Sequence, residues 1–144
     1  MMQYSQVADI LGGKKVLGRN LLTRMDFVEL GGAGITKDAA SHLARYLSLS
    51  LAGVARLLPV TPRTLQRYSA GKRLSPAVSE QVLQVAEVVA MGTTVFGERE
   101  NFLTWLSLPS APLGDRKPID LLSSRFGAEL VTDELGRIAH GIPA

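Results

Sequence analysis

Residues 51–68 read LAGVARLLPVTPRTLQRY, and this stretch decides the fold. Ser50 can cap a helix over residues 51–58, which Pro59 ends because a proline disfavours α geometry in the residue before it. The pair Thr61-Pro62 then starts a second helix, since a capping hydroxyl precedes a proline at the first helical position. Two short helices joined by about three residues are typical of a helix-turn-helix. The sequence therefore predicts this motif in the middle of the chain.

The second helix of the pair is expected to have one inward and one outward face. Val60, Leu65 and Tyr68 are expected to pack against the first helix. The residues left pointing outward are Arg63, Thr64, Gln66 and Arg67. In a helix-turn-helix the second helix lies in the major groove, where arginine can read guanine and glutamine adenine. Just beyond it, Lys72 and Arg73 are placed to contact phosphates, so we predict that these six residues bind DNA.

The charge distribution also favours a polyanionic partner. Residues 35–80 hold seven basic and two acidic side chains, whereas residues 81–144 hold five basic and eight acidic ones. A basic middle beside an acidic C-terminal part indicates two different partners. Two alternatives stay open at this point. Helix surfaces can simply carry solvated charges, and any two helices with a tight turn can resemble the motif.

Most other signals in the chain are helical as well. Thr36 can cap a helix over residues 37–47, and the helix after Thr61-Pro62 is expected to reach about residue 70, where Gly71 would supply a left-handed stop. After Ser75-Pro76, the valines at positions 78, 82, 85 and 89 follow helical spacing. An all-α fold is therefore predicted.

Three more helices are predicted towards the C-terminus. They cover residues 98–106, residues 118–126 with Gly127 as the stop, and residues 128–140 with Gly141 as the stop. The lone tryptophan, Trp105, is expected to be a core residue rather than an interface anchor. Six glycines interrupt residues 1–34, so only a turn or two of helix with loops is expected there.

The composition argues against several classes of site. The chain has no cysteine, which removes disulfides and thiolate metal sites, and only two histidines. Asp115 and Asp120, or Glu98 and Glu100, lie at helix starts, where acidic residues are favoured for electrostatic reasons. Residues 12–15 (GGKK) lack the spacing of a phosphate loop. We therefore predict no catalytic residue, no cofactor and no metal. Without a secretory signal or an apolar run of roughly 20 residues, a cytoplasmic protein is expected.

Seven short strings, in this order and spacing, resemble the Xre/ParS-type antitoxins, the partners of RES-domain toxins. The strings are VTPRTLQR (60–67), GKRLSP (71–76), VFGERE (95–100), WLSLPSAPLG (105–114), KPIDLL (117–122), FGAELV (126–131) and LGRIAHGI (135–142). The resemblance runs from about Ile35 to Ala144. It departs from the family at Pro59, where a glycine is usual, and at Tyr68 and Ser69, where members often carry more basic residues.

The resemblance implies an antitoxin with two parts. Residues 35–97 would form a Cro-like helix-turn-helix domain that binds operator DNA and represses the chain's own operon. Residues 98–144 would bind and neutralise a RES-domain toxin, which is thought to kill by consuming NAD⁺. Residues 1–34 lie outside the resemblance and are expected, from their own sequence, to form a short helical N-terminal segment. The alternative is a helix-turn-helix repressor without a toxin partner.

The last predicted helix carries the residues that this second part would use. Leu130, Val131, Leu135, Ile138 and Ile142 make an apolar face, which either folds back on the chain's own core or docks on a partner. The resemblance favours the partner. The predicted toxin-binding residues are Leu130, Asp133, Glu134, Arg137, His140, Gly141 and Ile142. Ending the chain at Gly127 is expected to remove toxin binding and leave DNA binding intact.

A homodimer is expected as well, because two-fold operators match two-fold proteins. The segment 7–30 is the predicted contributor, since it is more apolar than a free tail requires. Its apolar residues are Val7, Ile10, Leu11, Leu21, Leu22, Phe27 and Val28.

Overall fold

A computed structural model of the chain describes residues 2–141. Its ten α-helices are α1 (Met2–Ile10), α2 (Lys14–Leu17), α3 (Arg24–Ala33), α4 (Lys37–Tyr46), α5 (Leu51–Ala55), α6 (Pro62–Arg67), α7 (Pro76–Phe96), α8 (Arg99–Leu106), α9 (Pro118–Leu121) and α10 (Arg125–Ala139), with a 3₁₀ turn at Ala111–Leu113. The all-α prediction is confirmed, because these residues contain no strand and only two isolated β-bridges. None of the described helices is long and apolar enough to cross a membrane.

The chain divides into two compact units, Met1–Glu87 (the first unit) and Val88–Ala144 (the second unit). The division falls inside α7, the longest helix. Ser75 caps this helix by accepting a hydrogen bond from the Val78 N–H (3.3 Å), as the sequence predicts. The four valines with helical spacing, at positions 78, 82, 85 and 89, are all buried, which confirms helix over strand for this segment.

The N-terminal residues are more helical than predicted, so the expectation of only a turn or two of helix with loops is wrong. Val7 and Leu11 are fully buried in the first unit, which ties down α1. Helix α3 starts with a capping box in which Thr23 and Asp26 each bond the other's backbone N–H. Gly31 lies inside α3 and acts as a packing residue rather than a breaker. A Cβ added there would lie 3.0 Å from Cγ of Glu80 on α7.

The start of α4 and the end of α6 also differ from the prediction. Thr36 is the residue before α4, but its hydroxyl makes no capping bond. Instead, the N–H groups of Lys37 and Asp38 donate to the carbonyls of Lys72 and Ala70, both at 3.0 Å. Helix α6 ends at Arg67 rather than near residue 70, and Gly71 does not adopt a left-handed conformation. The loop after α6 is shaped by its bonds to α4, which a local sequence signal does not reveal.

Aromatic packing holds the second unit together. Phe102 is fully buried, and its ring lies so close to Gly92 that a Cβ added there would be 2.0 Å from Cε1 of the ring. Trp105 is half-buried, with its ring centroid 5.6 Å from that of Phe96 and 6.2 Å from that of Phe102. Trp105 therefore belongs to this aromatic cluster, in line with the core interpretation.

The last two predicted helices meet at a different point from the one expected. Helix α9 stops at Leu121, and α10 begins at Arg125, so Gly127 lies in the first turn of α10 instead of closing the previous helix. The cause is local, because the Ser124 hydroxyl accepts a hydrogen bond from the Gly127 N–H (3.0 Å). At its other end α10 is followed by Gly141 in the left-handed conformation predicted for it (φ 67°).

Candidate functional site

Helices α5 and α6 form the predicted helix-turn-helix in the first unit. The Ser50 hydroxyl accepts a bond from the Gly53 N–H (3.0 Å), which caps α5. The Thr61 hydroxyl accepts one from the Thr64 N–H (3.1 Å), and Pro62 is the first residue of α6. Both starts are therefore made by the residues that the sequence indicates.

The turn between the two helices is longer than predicted. Helix α5 ends at Ala55, not at residue 58, and the chain reaches α6 only at Pro62. The N–H groups of Leu57 and Leu58 bond carbonyls three residues back, at 2.9 and 3.0 Å, which is the pattern of a tightened last turn. Pro59 accounts for this end, since it disfavours α geometry at Leu58.

The packing of the motif separates its inward from its outward residues. Leu65 of α6 is fully buried, as are Val54 and Ala55 of α5, whereas Val60 and Tyr68 are half-buried. The four predicted base-reading residues, Arg63, Thr64, Gln66 and Arg67, are all exposed. No acidic residue occurs between Asp38 and Glu80, so this stretch carries no carboxylate to oppose a phosphate.

The two residues predicted to contact phosphates differ in their surroundings. Lys72 is exposed in the loop after α6. Arg73 is exposed as well, but one of its guanidinium nitrogens donates to the Gly34 carbonyl at 2.5 Å. Arg73 therefore has a structural contact in the first unit that its position in the sequence does not indicate.

The predicted apolar face of the last helix splits into two faces. Ala128, Val131 and Leu135 are buried in the second unit, so this side of α10 folds back on the chain's own core. Leu130 points outward and is 53% exposed. Phe126, one turn earlier, is 69% exposed, and the two side chains lie on one outer face because they are four residues apart.

Phe126 is not among the predicted toxin-binding residues, because the sequence pattern placed this residue at the end of the preceding helix. The sequence signal for its position is Ser124, which caps α10 and starts this helix about one turn earlier than predicted. The guanidinium of Arg125 lies 5.1 Å from the Phe126 ring centroid. Phenylalanine and arginine are both enriched in protein interfaces relative to the rest of the surface.

The other predicted toxin-binding residues are distributed around the C-terminal half of α10. Asp133 is exposed, whereas Glu134 is buried and forms an ion pair with Arg137 (3.5 Å). His140 is exposed, with Nδ1 2.7 Å from the Gly136 carbonyl oxygen. Ile142 lies outside the described residues.

The apolar residues predicted to form a dimer are mostly core residues of the first unit. Val7, Ile10, Leu11, Leu21 and Phe27 are buried there. Leu22 and Val28 are 69% and 63% exposed, and the sequence analysis did not single out Met25, which is 60% exposed beside them. The exposed apolar patch at the start of α3 therefore consists of Leu22, which precedes the helix, and of Met25 and Val28 within it.

The comparisons with known proteins match both units. The family model described as the antitoxin Xre-like helix-turn-helix domain matches residues 26–87, and the one described as the antitoxin Xre/MbcA/ParS C-terminal toxin-binding domain matches residues 91–141. The protein "Antitoxin Xre" of Yersinia enterocolitica serotype O:8 / biotype 1B is 30% identical over 111 residues, which cover 76% of this chain and 75% of that protein.

A solved structure shows the same fold. It is a chain from the crystal structure of the M. tuberculosis MbcT-MbcA toxin-antitoxin complex, with a TM-score of 0.56 at 21% identity, and the match covers 75% of this chain and 96% of that chain. The two family models match consecutive parts of the chain, and the Yersinia relative is an antitoxin of the same name as the first model. The chain therefore belongs to the Xre antitoxin family, with a helix-turn-helix DNA-binding domain followed by a C-terminal toxin-binding domain.

Proposed function

We propose that this chain binds and neutralises a RES-domain, NAD-consuming toxin through its second unit and represses its own operon through α5 and α6. The RES assignment rests on the ordered strings between residues 60 and 142, which resemble antitoxins of that class. The chain acts by binding rather than by catalysis. It acts in the cytoplasm, where its operator and the NAD⁺ pool are found.

The main support for toxin binding is the outer face of α10. Phe126 and Leu130 remain exposed although the opposite side of the same helix is buried in the second unit. Covering two such side chains contributes about 1–2 kcal/mol each, because roughly half to two thirds of each remains to be buried. An apolar helix face of this kind docks in a groove of a partner.

The C-terminal half of α10 extends this surface with polar groups. Asp133, Arg137 and His140 are the side chains that contact the toxin beside Leu130, together with the backbone at Gly141. Glu134 contributes through its ion pair with Arg137, which orients the guanidinium. Ile142 completes the predicted set.

A double substitution tests this surface. Phe126→Ala with Leu130→Ala leaves the buried side of α10 intact, so we expect a folded chain that no longer rescues growth when the toxin is co-expressed. Leu108→Ala is the matched control, since Leu108 is a similarly exposed leucine (55%) in the same unit but outside α10. Rescue by the double variant at the wild-type level, with the helical circular dichroism signal unchanged, would refute the proposed surface.

Substitution is a better test than truncation. Ending the chain at Gly127 removes Val131 and Leu135, which are fully buried. The truncated second unit would lose part of its own core, and loss of neutralisation would then have two explanations.

Operator binding is proposed to use α6 as the reading helix. Its supports are the exposure of Arg63, Gln66 and Arg67 and the absence of any carboxylate between Asp38 and Glu80. A promoter–reporter fusion for the chain's own operon tests it. We expect repression by the wild-type chain and derepression by Arg63→Ala combined with Arg67→Ala. Repression that survives this double substitution would refute the assignment.

The homodimer remains part of this proposal. A second copy would cover the exposed apolar patch at the start of α3, which consists of Leu22, Met25 and Val28. Two copies related by a two-fold axis would present two reading helices to a two-fold operator.

A further inference from the structure

Lys37 reaches from the first turn of α4 to the C-terminal end of α6. Its Nζ donates hydrogen bonds to the carbonyl oxygens of Gln66 (3.0 Å) and Tyr68 (2.5 Å). These carbonyls belong to the last residues of α6 and the residue after it. The C-terminal end of a helix carries a partial negative charge and carbonyls without partners in the helix, so an ammonium group there is stabilising.

The reading helix depends strongly on such support, because it has only six residues. A helix of this length has no appreciable stability of its own. Its N-terminal end is capped by Thr61, whose hydroxyl accepts the Thr64 N–H. At its other end Tyr68 is already extended (ψ 142°), which leaves the carbonyls of Gln66 and Tyr68 to Lys37.

Backbone hydrogen bonds also hold the loop after α6 against the start of α4 and the residues just before it. The Lys37 N–H donates to the Lys72 carbonyl, and the Leu74 N–H donates to the Ile35 carbonyl (2.7 Å). These bonds fix the loop, but they do not reach α6 itself. Lys37 thus supplies a side-chain link from α4 to the end of the reading helix itself.

We infer that Lys37 is a positioning residue for operator recognition, which fixes the orientation of α6 and with it the base-reading side chains. This inference rests on the proposed operator binding. Lys37 is half-buried, and two of the three N–H donors of its ammonium are already bonded to carbonyls, so the geometry favours a positioning role over a phosphate contact. A positioning residue and a phosphate contact leave different thermodynamic signatures. Loss of a phosphate contact weakens binding to all sequences and lowers the salt slope by about one unit, whereas loss of orientation weakens the specific complex selectively.

The test compares Lys37→Met, Lys37→Arg and the wild type on two duplexes of equal length, one carrying the promoter of the chain's own operon and one with that sequence scrambled. Lys37→Met keeps the length of the side chain and removes the donor. We expect it to lower affinity for the promoter duplex about tenfold, as for the loss of a hydrogen bond from a charged group, with scrambled-duplex affinity and salt slope unchanged. Lys37→Arg keeps charge and donors and is expected to restore most of the preference. Lys72→Met is the matched control, and it is expected to weaken both duplexes alike.

Several outcomes would overturn the inference. Equal loss on both duplexes with a lower salt slope would make Lys37 a phosphate contact, and an unchanged preference would make its bonds irrelevant to recognition. If the Met variant loses its helical circular dichroism signal, the comparison passes to Lys37→Arg and Lys37→Gln. The shorter, uncharged Gln is then expected to show the weaker preference, and equal preferences would refute the inference. Failure of the wild-type chain to prefer the promoter duplex would instead refute the proposed operator binding.

Discussion

Two glycines of α10 give opposite predictions for the same substitution. A Cβ added at Gly127 would lie 1.9 Å from the carbonyl oxygen of Leu121, whereas ordinary contacts begin at 3.4 Å. The atoms in conflict are backbone atoms, so no side-chain rotation relieves the clash, and the elbow between α9 and α10 must open by about 1.5 Å, the difference between these two distances. Such overpacking costs about 1–3 kcal/mol. We therefore expect Gly127→Ala to lower the free energy of unfolding by that amount.

Gly136 provides the matched control on the same helix. A Cβ added there meets no atom within 4 Å, so Gly136→Ala is expected to stabilise the chain by about 0.5–1 kcal/mol through the lower backbone entropy of alanine. Urea denaturation followed by circular dichroism measures the difference, which is expected to be about 1.5–4 kcal/mol. Gly127→Ala is also expected to impair toxin rescue, because the elbow places Phe126 and Leu130. If Gly127→Ala were as stable as Gly136→Ala, the described elbow would be wrong.

Three further predictions concern the first unit. Arg63→Ala is expected to cost about 1–3 kcal/mol of operator affinity and to relax sequence preference, measured by fluorescence anisotropy, whereas an effect equal on all sequences would contradict base reading. The carboxylate of Asp26 accepts the N–H groups of Leu22 (2.8 Å) and Thr23, which lowers its pKa below the ordinary value of 3.8. The ionised carboxylate of Asp26 therefore stabilises the fold above pH 3.8, and this stabilisation is lost as the pH falls through the lowered pKa. Asp26→Asn is expected to lower the urea midpoint at pH 7 but not in strong acid. A shift of the midpoint that does not depend on pH would contradict this role of Asp26. Met25→Glu in the exposed apolar patch at the start of α3 is expected to convert a dimer into a monomer in sedimentation at micromolar concentration. A monomeric wild-type chain under the same conditions would refute the proposed dimer.

Local signals in the sequence were sufficient for the helix starts. Ser50, Thr61 and Ser75 each cap the helix that follows, because the donor they need lies within three residues along the chain. The same locality made the helix-turn-helix predictable, including the burial of Leu65. The length of the turn was predicted wrongly, because the chain already leaves α geometry after Ala55 and forms tighter hydrogen-bonded turns at Leu57 and Leu58 before it reaches Pro59.

The error at the start of α4 occurs because distant residues decide the local structure. Thr36 has the right type for a cap, yet the carbonyls of Ala70 and Lys72 accept the α4 N–H groups. The outward face of α10 was missed for a different, local reason, because the helix start at Ser124 was not recognised. Only the phase of the helix against the second unit separates exposed Leu130 from buried Val131, and that phase depends on where Ser124 starts the helix.

Identification of the protein that this chain binds in its native host decides whether the chain is the antitoxin of a RES-domain toxin. The wild-type chain and the Phe126→Ala, Leu130→Ala double variant would be purified in parallel from the native host with an affinity tag, and the retained proteins identified by mass spectrometry. We expect the wild-type chain to retain a RES-domain protein and the double variant to lose it. Retention of no such protein by the wild-type chain, or equal retention by both, would contradict this expectation.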